Sequence, residues 1–237
     1  TTTGEVTAAS REQLAKLVIR NSPPSPLRRI AASTQSGSGT APMERYFERL
    51  DSGLWGVSTA FRVRGALVRN TLTLQGLVEL TATSTIDRDF KTDSIVPIGK
   101  LFLSYGINKN VKANGVITIA SLSGDLQSRS SPSAGGKFSY SRTASGQSTV
   151  TTTGVFGGTR TQTVNVSAKA DCSAGPEADA ASLHAELRGK YLPVKCGGEF
   201  NGAARIDEYA YLVDRQLYLL LSSGSDKFSI AKVEYSS

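Results

Sequence analysis

From residue 61 onward, apolar and polar positions alternate with a period of two. Phe61, Val63 and Gly65 alternate with Arg62 and Arg64, which puts the two sets on opposite faces of a strand. Leu72, Leu74, Leu77, Val78 and Leu80 read as one long or bent strand with a bulge at Gly76. Residues 98–105 form a dense apolar strand, 109–115 a turn carrying Asn114-Gly115, and 116–122 another strand. Asn-Gly between apolar runs is a hairpin signal. Asp87 and Asp89 flank Arg88 between apolar runs and read as a turn. Residues 128–146 are rich in Ser and Gly and read as a long loop, while 149–156 and 160–168 alternate as exposed strands around Gly157-Gly158. Residues 217–221 are again densely apolar, 222–227 polar, and 228–235 alternating. Two strands in that order predict a closing antiparallel hairpin.

Three stretches depart from this period. Ser10, Arg11, Glu12 and Gln13 fit a capping box, and Leu14, Leu17 and Val18 follow at helical spacing, predicting a short helix over 10–21. Pro23, Pro24 and Pro26 stop it. Three turns alone are marginal in water, so this helix needs a partner surface, such as a neighbouring subunit, and its apolar residues are the candidate assembly contacts. Residues 22–42 have linker composition, with Leu27 and Ile30 their main large apolar residues. Residues 43–50 predict one or two helical turns with Tyr46, Phe47 and Leu50 on one side. Ala180, Leu183, Leu187 and Tyr191 share a helical face, predicting a helix over 176–191 that Pro193 ends. The expected fold is mainly β: an antiparallel β-sandwich over 51–237, preceded by an arm over 1–50, with one or two short helices.

Composition narrows the chemistry. A chain of 237 residues supports one main core. No window of 18 residues is uninterruptedly apolar, and residues 1–10 lack the basic and apolar regions of a signal peptide. The formal net charge of +7 favours an anionic partner, nucleic acid ahead of a membrane surface. Cys172 and Cys196 with the lone His184 fall short of the four ligands of a structural zinc. They are expected as buried free thiols, although an oxidising compartment would let them pair. No metal and no cofactor is expected.

No set of residues points to catalysis. Any Ser-His-Asp triad must use His184, which falls within the expected 176–191 helix beside Glu177, Asp179 and Glu186, read as solvated carboxylates. The glycines at 154, 157 and 158 lack the Lys-Ser/Thr that completes a P-loop. Asn165-Val166-Ser167 matches a glycosylation sequon, which carries little weight without a secretory signal. Binding is left, and cations able to reach phosphates are the candidates: Arg11, Lys16, Arg20, Arg28 and Arg29 on the arm, then Arg62, Arg64 and Arg69. Residues 126–170 hold no acidic residue and carry Arg129, Lys137, Arg142, Arg160 and Lys169. Few aromatics interleave with these charges, so base stacking is not indicated.

The run Gln216-Leu217-Tyr218-Leu219-Leu220-Leu221-Ser222-Ser223, the polar turn, and Phe228-Ser229-Ile230-Ala231-Lys232-Val233-Glu234-Tyr235 resemble the last strand pair of jelly-roll coat proteins of brome mosaic and cucumber mosaic type plant RNA viruses. Ile98-Gly99-Lys100-Leu101-Phe102-Leu103 followed by Gly115-Val116-Ile117-Thr118-Ile119-Ala120 is similar to an earlier hairpin of that sandwich. The two likenesses cover about a quarter of the chain. They imply a non-enzymatic coat subunit that self-assembles in many copies and encloses RNA, found in the virion and in host cytoplasm during assembly. They imply no small-molecule substrate and no membrane. The arm here is less basic than that family's. Two other readings compete: a jelly-roll movement protein, and a phage tail or bacterial surface β-protein, which a Cys172–Cys196 disulfide would favour.

Overall fold

The period-two pattern extends through most of the described residues, and the fold uses it to wind one sheet into a ring. The computed structural model describes residues 27–35, 43–50, 54–62, 66–98, 101–125, 131–153 and 157–235. The strands are β1 (Leu27–Gln35), β2 (Met43–Arg49), β3 (Trp55–Arg62), β4 (Ala66–Leu74), β5 (Val78–Ile98), β6 (Leu101–Gly124), β7 (Lys137–Thr153), β8 (Gly158–Ala174), β9 (Ala178–Asp179), β10 (Lys190–Phe200), β11 (Ala203–Leu212), β12 (Leu217–Ser223) and β13 (Asp226–Tyr235). Each pairs antiparallel with its neighbour in sequence, β8 passes to β10, and β13 returns to β1, with Ile30 opposite Val233. Twelve strands close the barrel, and the two-residue β9 is an addition beside β10.

This closed barrel replaces the expected jelly-roll sandwich. A jelly roll needs long crossovers between two sheets, whereas here every connection joins strands adjacent in sequence. Closure also removes free sheet edges from the ring.

Helices are nearly absent among the described residues, which hold only 3-10 turns, as at Ala180–Ser182 and Val213–Arg215. The expected helix over 10–21, with Leu14, Leu17 and Val18, lies outside the described residues. The linker and helical turn expected over 22–50 give way to β1 and β2. Leu27 and Ile30 are fully buried, and in β2 the exposed Glu44 and Glu48 alternate with the buried Phe47, a strand period. The helix expected over 176–191 is a folded-back loop. Its bond from Ala180 N to Gly189 O is not a helical one, Gly189 has φ +89°, and β10 begins at Lys190.

Several turn readings also shift. Leu72 to Leu80 is two strands, turned at Gln75 and Gly76 with φ +54° and +78°, the left-handed pair that tight hairpins require. A side chain at Gly76 would stand 2.6 Å from the Tyr218 carbonyl oxygen. Asn114-Gly115 and Asp87-Arg88-Asp89 lie inside β6 and β5, whose register runs unbroken from Thr81↔Thr118 to Ile98↔Leu101. Part of the expected 128–146 loop is β7, which starts at Lys137.

Two apolar clusters fill the barrel. The first gathers Leu77, Val78 and Leu80 with Tyr140, Val194, Tyr209, Tyr211 and Tyr218. The second gathers Leu27, Ile30, Phe47, Trp55 and Val57 with Leu187, Ala210, Leu212, Leu217 and Leu219. The β11–β12 hairpin therefore buries both faces, one in each cluster. β12 pairs with β13 only at Ser222↔Lys227 and Ser223↔Asp226. Its Tyr218 amide instead donates to the Gln75 carbonyl on the β4–β5 turn, at 2.7 Å. The apolar stretch of β12 thus runs between the two clusters and stoppers one end. Each fully buried leucine there contributes roughly 1.5–3 kcal/mol.

Cys172 and Cys196 are directly opposite in the β8–β10 register and form a disulfide, not the expected pair of free thiols. A separation of 24 residues hides this pairing from sequence spacing. The antiparallel register brings it about.

Candidate functional site

Above the β12 stopper the lumen holds polar side chains around a cavity of about 110 Å³. The lining comes from β2 (Arg45), β3 (Val57), β4 (Thr71, Thr73), β5 (Glu79), β7 (Tyr140, Arg142), β10 (Phe200), β11 (Arg205, Asp207, Tyr209) and β12 (Leu220, Ser223), with Gly76 and Leu77 from the β4–β5 turn. Alternation delivers them. Arg205, Asp207, Tyr209 and Tyr211 are every second residue of β11, and Tyr140 and Arg142 follow the same rule on β7. On β5 a register shift sets Glu79 opposite Thr73, and both line the cavity.

The charges fall into three groups. Asp207, only 1% exposed, accepts both arms of the Arg205 guanidinium at 2.8 Å. It also accepts the Ser223 hydroxyl at 2.7 Å and the Tyr209 hydroxyl at 3.4 Å. Glu79 is shared by two guanidiniums. Arg69 Nη2 stands 2.8 Å from Oε2 while Nη1 bonds Oε1, and Arg142 Nη2 stands 3.2 Å from Oε2. The third group is Arg45 alone. Its Nε is fully enclosed without a hydrogen-bond partner, and its guanidinium lies 5.6 Å from the Phe47 ring and 5.4 Å from the Phe228 ring. Four guanidiniums against two carboxylates leave a surplus of two positive charges in and beside the cavity.

Burial and neighbours tune these groups. Burial pulls the Arg45 guanidinium below its ordinary value, against the attraction of Tyr209, Glu79 and Asp207. Burial pushes the Glu79 carboxyl up, but the Arg69 hydrogen bonds and the charges of Arg69, Arg142 and Arg45 together outweigh it and leave it lowered. Burial pushes Tyr140 up to about 12 and Tyr209 well above its ordinary range. Both tyrosines therefore keep their hydroxyl protons at neutral pH. The cavity offers donors and net positive charge, and the chemistry that follows is capture of an anion.

The candidate residues from the sequence are dispersed by the structure. Arg11, Lys16, Arg20 and Arg64 lie outside the described residues, and Arg28 and Arg62 are placed on β1 and β3 by their backbone. Arg29 is exposed on the outer wall, 4.3 Å from the Tyr46 ring centre, a cation–π contact. Arg69 and Arg142 turn into the lumen ion pairs and not to an outer basic face. His184 sits in the β9–β10 loop, where its Nδ1 accepts from the Glu186 amide at 3.3 Å. Among the described residues no three His, Cys, Asp or Glu side chains cluster to hold a metal ion. Arg45, Glu79, Arg205 and Asp207 escape the sequence reading. The one available signal is the alternation Arg205, Asp207, Tyr209, Tyr211, in which a polar set faces inward.

The outer wall differs in character. On β8 Thr163, Asn165, Ser167, Lys169, Asp171 and Ser173 are exposed, while Ala168, Ala170, Cys172 and Ala174 are buried. A lipid-facing barrel reverses that order, with an apolar band outside, and the β8 face carries no such band. No helix among the described residues is long and apolar enough to cross a membrane.

No family model, no curated protein and no solved structure matches this chain.

Proposed function

We propose that this chain is a non-catalytic binding protein that takes a small anionic ligand into the lumen of its barrel. The observation that carries the proposal is Arg45: an enclosed guanidinium nitrogen with no partner, lining a cavity in which the other two lining arginines are already paired. Removing a cation from water is costly unless it gains a partner. A bound anion supplies that partner. No small-molecule substrate was expected from the sequence, and this proposal adds a small ligand to the expected partners.

The reading as an RNA-enclosing coat subunit drew on the jelly-roll likeness and on the arm as an assembly contact, and the closed ring supports it less well. The rival reading as a phage tail or bacterial surface β-protein gains from the Cys172–Cys196 disulfide, because disulfides persist in oxidising compartments. An extracytoplasmic location therefore belongs to the proposal. Lumen binding and a surface location are compatible in one protein.

Thermal unfolding in sodium sulfate against sodium chloride at matched ionic strength tests the proposal. Sulfate stabilises most proteins by exclusion from their surface, so the decisive comparison is with R45M. A saturable rise in Tm for the parent protein, absent in R45M, is the expected result. At a hundredfold excess over Kd, binding adds about 2.7 kcal/mol, several degrees for a chain of this size. Equal, unsaturated rises in both proteins would overturn the proposal.

A further inference from the structure

We infer that the lumen selects a dianionic tetrahedral oxyanion, that is, a phosphate group, over singly charged anions. The inference rests on the anion-binding reading above and adds to it the class of ligand.

The charge count sets the valence. Arg205 and Asp207 form a pair of zero net charge. Glu79 neutralises only one of the two guanidiniums it binds, which leaves one positive charge shared by Arg69 and Arg142. Arg45 contributes the second. Both surpluses reach the cavity, through Arg142 on β7 and Arg45 on β2, so they approach a bound group from different walls. A monoanion neutralises one surplus and leaves the other enclosed. A dianion neutralises both.

Size and donor geometry point the same way. A cavity of about 110 Å³ is large enough for several waters. That suits a compact group, with Arg205, 42% exposed, at the open side. A guanidinium has five donors. Two of those of Arg205 are engaged by Asp207, and two of those of Arg142 by Glu79. Donors arriving from several walls match the tetrahedral spread of phosphate oxygens better than a flat carboxylate, whose two oxygens one guanidinium fork satisfies. The two acidic side chains repel the ligand little, because each is already held by at least one guanidinium.

The test is isothermal titration of the full chain with inorganic phosphate, methyl phosphate, sulfate and acetate, at pH 5.5 and pH 8.0 and constant ionic strength. The expected result has three parts. Phosphate and methyl phosphate bind several-fold more tightly at pH 8.0, as the second phosphate proton of each leaves between the two pH values, near pH 6 for the ester. Sulfate, doubly charged throughout, changes little. Acetate binds at least tenfold more weakly than either. Tighter binding of methyl phosphate would identify an esterified group as the source, and tighter binding of inorganic phosphate the free ion. R45M is expected to lose phosphate binding by tenfold or more, and the pH profile of the parent protein carries the test if R45M does not fold. Acetate binding as tightly as phosphate, with a flat pH profile, would overturn the dianion inference and leave an anion-binding lumen. Binding of none of the four would overturn both.

Discussion

Arg69 and Glu79 meet across the β4–β5 hairpin as a guanidinium fork on a carboxylate, with Nη2 2.8 Å from Oε2, and Arg142 reaches the same carboxylate from β7. The three side chains tie two parts of the wall together, and all are less than one third exposed. Glu79→Gln leaves two guanidiniums enclosed without their counter-charge. Breaking a fully buried pair costs roughly 3–5 kcal/mol, and the partial exposure here lowers that through solvent screening, the loss being read as a lower urea midpoint. Arg45→Met removes a guanidinium whose enclosed Nε has no hydrogen-bond partner and keeps an apolar side chain beside Phe47 and Phe228, so in anion-free buffer it is expected to be close to neutral. A large loss of stability in R45M would show that Arg45 is structural and not held for a ligand.

The β12 stopper makes a second prediction. Leu217 and Leu219 are fully buried in the second cluster, so Leu219→Ala costs about 2–5 kcal/mol through lost transfer energy and the cavity left behind. Ser167→Ala, on the exposed face of β8, stays within about 0.5 kcal/mol. Chemical denaturation of the two variants side by side checks the difference.

Reduction of the Cys172–Cys196 disulfide removes a cross-link between residues 24 apart. The loop-closure relation gives a loss of roughly 3 kcal/mol. The double substitution C172A/C196A is expected to unfold at a lower temperature than the oxidised parent, and dithiothreitol to lower the Tm of the parent but not of the double variant. Thiol titration of native, unreduced protein should find no reactive cysteine. Two reactive thiols would contradict both the disulfide and the proposed compartment.

Stability should fall at both extremes of pH, for different reasons. The folded Glu79 carboxyl lies below its ordinary value, so its contribution is present above the unfolded pKa of about 4.3 and is lost as pH falls through the lower folded value. Tyr140 is raised to about 12 in the fold against about 10 unfolded. Its contribution is complete below pH 10 and is lost between about 10 and 12, where the unfolded chain ionises first. Urea midpoints across pH 3 to 12 should show both declines. Y140F is expected to soften the alkaline one, and E79Q the acid one.

Strands were legible in the sequence where only one face carries apolar side chains. The alternation of β8 stands out for that reason, whereas β12 stands out as a short dense apolar run buried on both faces. Ring closure was not legible, because the partner of β13 is β1, whose Leu27 and Ile30 sit in a Pro- and Ser-rich stretch. The 176–191 segment shows how a correct apolar set can carry a wrong period. Ala180, Leu183, Leu187 and Tyr191 do all pack against the second cluster, but the first three from a loop folded back between Pro176 and Gly189 and Tyr191 from β10. The candidate site was hidden for the opposite reason. In β11 the inward set is Arg205, Asp207, Tyr209 and Tyr211, so an expectation that polar side chains face out assigns the first two to solvent. Only the fold shows that Asp207 is buried, with the 42% exposed Arg205 paired to it at the cavity's open side.

The most direct test is nuclear magnetic resonance of the arginine Nε–H groups during titration with sulfate. Arg45 carries the one enclosed, unpartnered guanidinium nitrogen among the described arginines, and its resonance, assigned by its loss in R45M, is predicted to shift saturably as the anion binds. The Nε–H of Arg205, already bonded to Asp207, is predicted to move far less. An Arg45 resonance that stays in place through saturating sulfate would contradict the account of the lumen as an anion site.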